Sequence, residues 1–155
     1  QVMEVKFVLN HMDIVVNARP DEYLAETLRN LGILSVRVGC NESNCGTCTV
    51  LINDKPAMSC SVLTAQVEGK KVTTVEDIQE EANKIADYFS DEGADQCGFC
   101  LVGFALVVHA LTKEYKDPTD EEIRNYLVGN LCRCSGYHAQ FLAVKKYLAE
   151  VKKHA

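Results

Sequence analysis

The chain has 155 residues, 47% of them apolar and 25% charged, the balance of a globular protein rather than a disordered one. Its 16 Lys+Arg against 22 Asp+Glu leave a net charge of −6, the wrong sign for a general binder of phosphate backbones. No apolar run approaches the roughly 18 residues of a membrane-spanning helix, so neither a nucleic acid partner nor membrane insertion is expected.

In chain order, Val5, Phe7 and Leu9 alternate with outward-facing neighbours, Asn10-His11-Met12-Asp13 has turn chemistry, and Ile14-Val15-Val16 resumes the apolar run. This pattern predicts a hairpin. Pro20-Asp21-Glu22 opens a short helix with Leu24, Leu28 and Leu31 on one face, and Gly32 ends it. Thr49-Val50-Leu51-Ile52 and Val72-Thr73-Thr74-Val75 are β-branched and apolar, and Asn53-Asp54-Lys55-Pro56 between them is turn-forming. Residues 1–76 are therefore expected to form a small α+β unit.

After Val75 the period changes. Ile78, Ala82, Ile85, Ala86 and Phe89 fall at helical spacing. The segment from Leu101 to Leu111 is apolar on nearly every side, as a buried central helix would be. Thr119 and Glu122 form a capping box leading to Ile123 and Leu127, with Gly129 as the stop, and Phe141, Val144, Leu148 and Val151 mark a last helix. Residues 77–155 thus read as a second unit of four helices. Its acids Glu76, Asp77, Glu80 and Glu81 read as a solvated helix start, His109 as a satisfied core histidine with no carboxylate at ligand spacing, and His11 and His154 as solvated.

The eight cysteines need a separate explanation, because a chain this long buries roughly 68–70% of its extended surface and folds without disulfide staples. Gln1 to Val8 shows no basic stretch followed by a long apolar run, so the expected compartment is the reducing cytoplasm, where clustered cysteines hold metal or do redox chemistry. Cys40-x4-Cys45-x2-Cys48, followed by Cys60, matches the plant-type spacing for a [2Fe-2S] cluster. Two irons bridged by two sulfides need four thiolates around a compact rhomb, and Gly39 and Gly46 suit a loop that wraps it closely. Cys97-x2-Cys100 lies at the start of the buried helix, whose positive end favours thiolates, and Cys132-x-Cys134 lies between the last two helices. Structural zinc, disulfides and unrelated buried thiols are the competing readings, although a Cys-x-Cys pair is unusual for zinc.

Three motifs then carry a resemblance. Gly39-Cys40 through Cys45-Gly46-Thr47-Cys48-Thr49-Val50, Gln96-Cys97-Gly98-Phe99-Cys100, and Gly129-Asn130-Leu131-Cys132-Arg133-Cys134-Ser135-Gly136-Tyr137 resemble, in order, the iron-sulfur small subunit of the molybdenum hydroxylases. That family includes xanthine dehydrogenase, aldehyde oxidoreductase and carbon monoxide dehydrogenase of the molybdenum type. The resemblance implies an α+β protein: a β-grasp, plant-ferredoxin-like domain in residues 1–76, then an all-α four-helix-bundle domain in residues 77–155, each with one [2Fe-2S] cluster. It gives Cys40, Cys45, Cys48 and Cys60 to the ferredoxin-like-domain cluster and Cys97, Cys100, Cys132 and Cys134 to the helical-domain cluster.

The resemblance further implies an electron-transfer subunit of a molybdenum oxidoreductase, with no substrate turnover from this chain alone. Single electrons would pass between a molybdopterin centre on a large subunit and FAD on a medium subunit. Gln96 would contact the pterin, with Cys134 beside it. A freestanding two-cluster ferredoxin is the alternative, and Gln96 and Gly129-Asn130, features expected at a pterin-bearing partner, argue against it. Two oxidised clusters at about −2 each would take the net charge from −6 to about −10. Backbone N–H groups would offset it, with Arg133 either helping or lying on the surface; Tyr137 would face the large subunit or pack on the loop. The chain departs from the family pattern at Ser43, where Gly is common, at Leu101-Val102, where Thr-Pro is common, and at Gln140, where relatives often have an aliphatic residue.

Overall fold

The alternation of Val5, Phe7 and Leu9 produces β1 (Met3–Leu9), which pairs antiparallel with β2 (Met12–Ala18) in the register Val5↔Val16 and Phe7↔Ile14. Asn10 and His11 make the two-residue turn, both with left-handed φ, 48° and 66°, the conformation whose twist matches paired strands. The computed structural model describes residues 1–154. α1 (Leu24–Asn30) buries Leu24 and Leu28 against this hairpin, while Leu31, expected on the same face, lies at the frayed end with 43% of its surface exposed.

The expected turn over residues 53–56 is shorter than its sequence suggests. Asn53 and Asp54 alone turn the chain, with φ of 48° and 66°, and Lys55 and Pro56 already belong to β4 (Lys55–Met58), antiparallel to β3 (Thr49–Ile52). Pro56 is tolerated there because β4 is an edge strand, where a missing N–H breaks no ladder. β5 (Lys71–Thr73) completes a five-stranded mixed sheet of order β2-β1-β5-β3-β4, parallel only between β1 and β5. Thr74 and Val75 leave the sheet, and Asn10 receives them: its Oδ1 accepts from the Thr74 N–H at 2.9 Å and its Nδ2 donates to Thr74 Oγ1 at 2.7 Å.

Beyond the sheet come α2 (Gln79–Asp91), α3 (Leu101–Glu114), α4 (Asp120–Leu127) and α5 (His138–His154). Thr119 caps α4 with the reciprocal Glu122 bond its sequence announces. None of the helices of the described residues is long and apolar enough to cross a membrane. The chain is therefore α+β, with two principal cores. One lies between the sheet and α1 around Phe7, Leu24, Leu28, Val50 and Val72; the other lies among α2 to α5 around Phe89, Phe104, Val108, Ile123 and Val144. Each fully buried large apolar side chain contributes about 1.5–3 kcal/mol.

The two cores meet at β3. Successive strand residues face opposite ways, so Val50 enters the first core while Leu51 packs on Leu106 and Ala110 of α3. On the rim, Glu114 accepts from Lys55 Nζ at 3.2 Å and from the Tyr126 hydroxyl at 2.8 Å.

Two corrections concern titratable residues. Glu81 is not on a solvated face: it accepts a hydrogen bond from His109 Nδ1 at 2.6 Å and another from the Tyr147 hydroxyl at 2.8 Å, joining α2, α3 and α5. A carboxylate can only accept, so the ring nitrogen facing it is the protonated one. His109 is thus a satisfied core histidine, but it does have a carboxylate partner. Similarly, Asp77 is paired with the largely exposed His11 at 3.0 Å.

Candidate metal centres

The first cysteine set is assembled by a loop and a hairpin. Cys40 and Cys45 lie in the loop between α1 and β3, Cys48 precedes β3, and the β3–β4 register places Thr49 opposite Met58. Cys48 therefore stands opposite the 3-10 turn Ser59–Ser61 that carries Cys60, and both Ser59 N and Ser59 Oγ donate to the Cys48 carbonyl, at 3.3 and 2.7 Å. Cys48 and Cys60 are buried; Cys40 and Cys45 are half-buried.

The loop is folded so that its N–H groups point at sulfur. Asn41, Ser43 and Gly46 have left-handed φ of 57°, 59° and 71°, and between them the N–H groups of Glu42, Asn44 and Cys45 lie 3.3, 3.5 and 3.4 Å from Cys40 Sγ. Such a backbone nest favours an anion. These three N–H groups draw the Cys40 thiol down to about 7, so a thiolate is available at neutral pH. Burial instead pushes Cys48 up to about 11.

The second set is built where helices start and stop. Gly98, at φ 71°, turns the chain between Cys97 and Cys100, and Cys100 occupies the N-cap position of α3 with no capping bond from its side chain. Cys132 and Cys134 follow α4, with Asn130 N closing onto the Leu127 carbonyl at 3.0 Å. Cys97 and Cys134 are exposed; Cys100 and Cys132 are half-buried. Burial alone would raise Cys132, but the Ser135 hydroxyl and the N–H groups of Cys134 and Ser135 outweigh it and bring the thiol to about 7. The expected help from the α3 N-terminus does not prevail at Cys100, which burial and the adjoining Cys132 push up to about 12. The Tyr137 hydroxyl packs on this loop, accepting from Cys132 N at 3.1 Å, while its ring remains exposed.

The sulfurs of Cys97 and Cys134 lie 3.6 Å apart, and the thiols of Cys40 and Cys45, of Cys48 and Cys60, and of Cys100 and Cys132 are close enough to shift one another's ionisation. Two thiolates on one tetrahedral metal, with bonds of about 2.3 Å, stand about 3.8 Å apart. Paired thiolates with N–H donors around them fit a dinuclear centre, which takes two protein thiolates per metal.

The two cysteine loops are pressed together by residues whose role in this contact sequence patterning does not disclose. Leu131 N donates to the Cys45 carbonyl at 2.9 Å, and Asn130 Nδ2 donates to the Gly46 carbonyl at 3.2 Å. Asn130, expected to face a partner, is instead buried between the halves, with 4% exposure. Arg37 Nη1 donates to the Gly98 carbonyl at 2.5 Å and its guanidinium lies 5.3 Å from the Phe99 ring. Arg133 and Gln96 both lie on the surface.

A 2Fe-2S iron-sulfur cluster binding domain matches residues 10–102 and a [2Fe-2S] binding domain matches residues 74–145. The chain is 40% identical over 129 residues to the nicotinate dehydrogenase small FeS subunit of Eubacterium barkeri, covering 81% of this chain and 82% of that one. It is 38% identical over 141 residues to the xanthine dehydrogenase iron-sulfur-binding subunit of Escherichia coli O157:H7, covering 88% and 89%. A chain of quinoline 2-oxidoreductase from Pseudomonas putida 86 superposes with a TM-score of 0.89 at 34% identity, over 100% of this chain and 98% of that one.

Proposed function

The chain belongs to the iron-sulfur small subunits of the molybdenum hydroxylase family, where it is an electron-transfer subunit of an oxidoreductase complex, and we propose how its residues serve that role. Residues 1–76 form a β-grasp, ferredoxin-like domain and residues 77–155 a four-helix-bundle domain, each holding one [2Fe-2S] cluster. Cys40, Cys45, Cys48 and Cys60 would hold the first cluster, and Cys97, Cys100, Cys132 and Cys134 would hold the second. When bound, each cluster supplies one-electron redox chemistry.

The chain's own residues position and tune these centres. The N–H groups around Cys40 and the Ser135 hydroxyl beside Cys132 place positive charge against thiolate sulfur, which favours the more negative, reduced state. The Leu131–Cys45 hydrogen bond joins a residue adjoining Cys132 to a ligand of the other nest, a short bonded link between them. Gln96, Cys97 and Cys134 are exposed, as suits a face covered by a large subunit carrying molybdopterin, with Gln96 and Cys134 next to the pterin. A medium subunit carrying FAD meets the first nest, and the complex works in the cytoplasm. Substrate choice belongs to the large subunit.

The observation that carries this reading is the approach of the cysteine sulfurs to one another within each set, with Cys97 and Cys134 3.6 Å apart. Iron and acid-labile sulfide analysis of the complex should give about four of each per chain, with two distinct electron paramagnetic resonance signals on reduction. Cys48→Ser should abolish one signal and keep the other. A colourless, zinc-containing protein, or loss of both signals from a folded variant, overturns the assignment.

A further inference from the structure

Gln140 sits where α5 turns its apolar face inward, one residue before Phe141, and is 1% exposed. A buried amide at such a position is costly unless its groups are bonded, yet only one end of it is: Nε2 donates to Ser135 Oγ, while Oε1 has no partner among the described residues. Ser135 Oγ in turn donates to Cys132 Sγ at 3.2 Å. A serine hydroxyl has one proton and two lone pairs. With an amide N–H delivered to its oxygen, Ser135 keeps that proton for the sulfur, and a donor bonded in series is the stronger for it. Were Gln140 turned the other way, Oε1 would compete for the same proton and draw it off the sulfur.

We propose that Gln140 is a positioning residue for the second cluster: it locks the Ser135 hydroxyl as a hydrogen-bond donor to Cys132 Sγ and thereby raises that cluster's reduction potential. This rests on the assignment of Cys132 as an iron ligand. At the first nest Cys40 is served by main-chain N–H groups, and Thr47 Oγ1, 3.2 Å from Cys45 Sγ, gives its proton to the Arg37 carbonyl rather than to the sulfur. The effect is therefore confined to one of the two centres.

The test is a redox titration of the assembled complex, following each reduced cluster by its own paramagnetic signal. Gln140→Leu should make reduction of the second cluster about tenfold less favourable, a fall in midpoint of about 59 mV for one electron, with the first cluster unmoved. Ser135→Ala should lower the same midpoint, Ser135→Thr should preserve it, and the double variant Gln140→Leu/Ser135→Ala should fall no further than Ser135→Ala alone. An unchanged midpoint in Gln140→Leu, or an additive double variant, overturns the proposal while leaving the cluster assignment intact. Absence of a second signal in the unsubstituted complex overturns the assignment itself. Should Gln140→Leu fail to retain the cluster, Gln140→Met is read in the same way, and loss of the cluster in both makes Gln140 a packing residue and overturns tuning.

Discussion

The main-chain N–H of Leu131 reaches the carbonyl oxygen of Cys45 at 2.9 Å, although 86 positions separate the two residues along the sequence. Backbone approach this close requires small residues around it, and two glycines, Gly46 and Gly103, supply them. A Cβ on Gly46 would come within 2.4 Å of the Gly129 carbonyl oxygen, and one on Gly103 within 2.3 Å of the Gly46 carbonyl oxygen.

Gly103→Ala sets two effects against each other. Alanine in a helix interior is worth about 1 kcal/mol over glycine, but here the methyl meets main-chain oxygen, and displacing a packed loop costs about 1–3 kcal/mol. The steric term should win. Thermal denaturation is expected to show a destabilised complex with altered line shapes for both reduced clusters; a variant as stable as the parent would show that the loops are not held by this approach.

Glu81 predicts a pH dependence. Burial opposes its ionisation, but the hydrogen bonds from His109 and Tyr147 outweigh it and hold the carboxyl below its ordinary value of 4.5. The folded chain therefore binds fewer protons at this site than the unfolded chain. The stability it contributes is fully present above about pH 4.5 and is lost as pH falls through the lowered folded value. Glu81→Gln should cost about 1–2 kcal/mol at neutral pH, toward the lower end because the side chain partly meets water. Melting temperatures of parent and variant compared from pH 7 to pH 2 should run parallel above about pH 4.5 and converge below it, and curves that stay parallel throughout would contradict the assignment.

Ser43 predicts a gain. It adopts φ 59°, a conformation that costs an ordinary L-residue about 1–2 kcal/mol and glycine little. Its hydroxyl lies 4.0 Å from Cys60 Sγ, too far for a strong bond. Ser43→Gly is thus expected to stabilise the first loop by about 0.5–1 kcal/mol after the added freedom of the unfolded chain is subtracted. Slower thermal bleaching of the first cluster would register it, and faster bleaching would mean that the hydroxyl matters more than the strain.

The pattern along the chain discloses what each element does alone. Hydrophobic period places α3 in the core, the Thr119–Glu122 box starts α4, and the spacing of Cys40, Cys45, Cys48 and Cys60 identifies their loop as a candidate wrapper for a cluster. It cannot disclose partners chosen across elements. Glu81 looks like a solvated acid because the residues that bury it, His109 and Tyr147, are 28 and 66 positions away. Pro56 reads as a turn residue because its edge position depends on the order of the strands. Asn130 reads as a residue facing a partner, and Gln140 as a departure from an aliphatic position, because polarity alone does not reveal a bond to Gly46 or Ser135.

The placement of Asn130 and Leu131 also bears on biosynthesis. A chain emerging from the ribosome presents Cys40 through Cys60 well before Asn130 and Leu131, the residues that pin their loop. Whatever delivers iron to the first nest either waits for the carboxyl-terminal helices or meets an unclamped loop, so maturation of the two centres is coupled by the order in which the polypeptide is made.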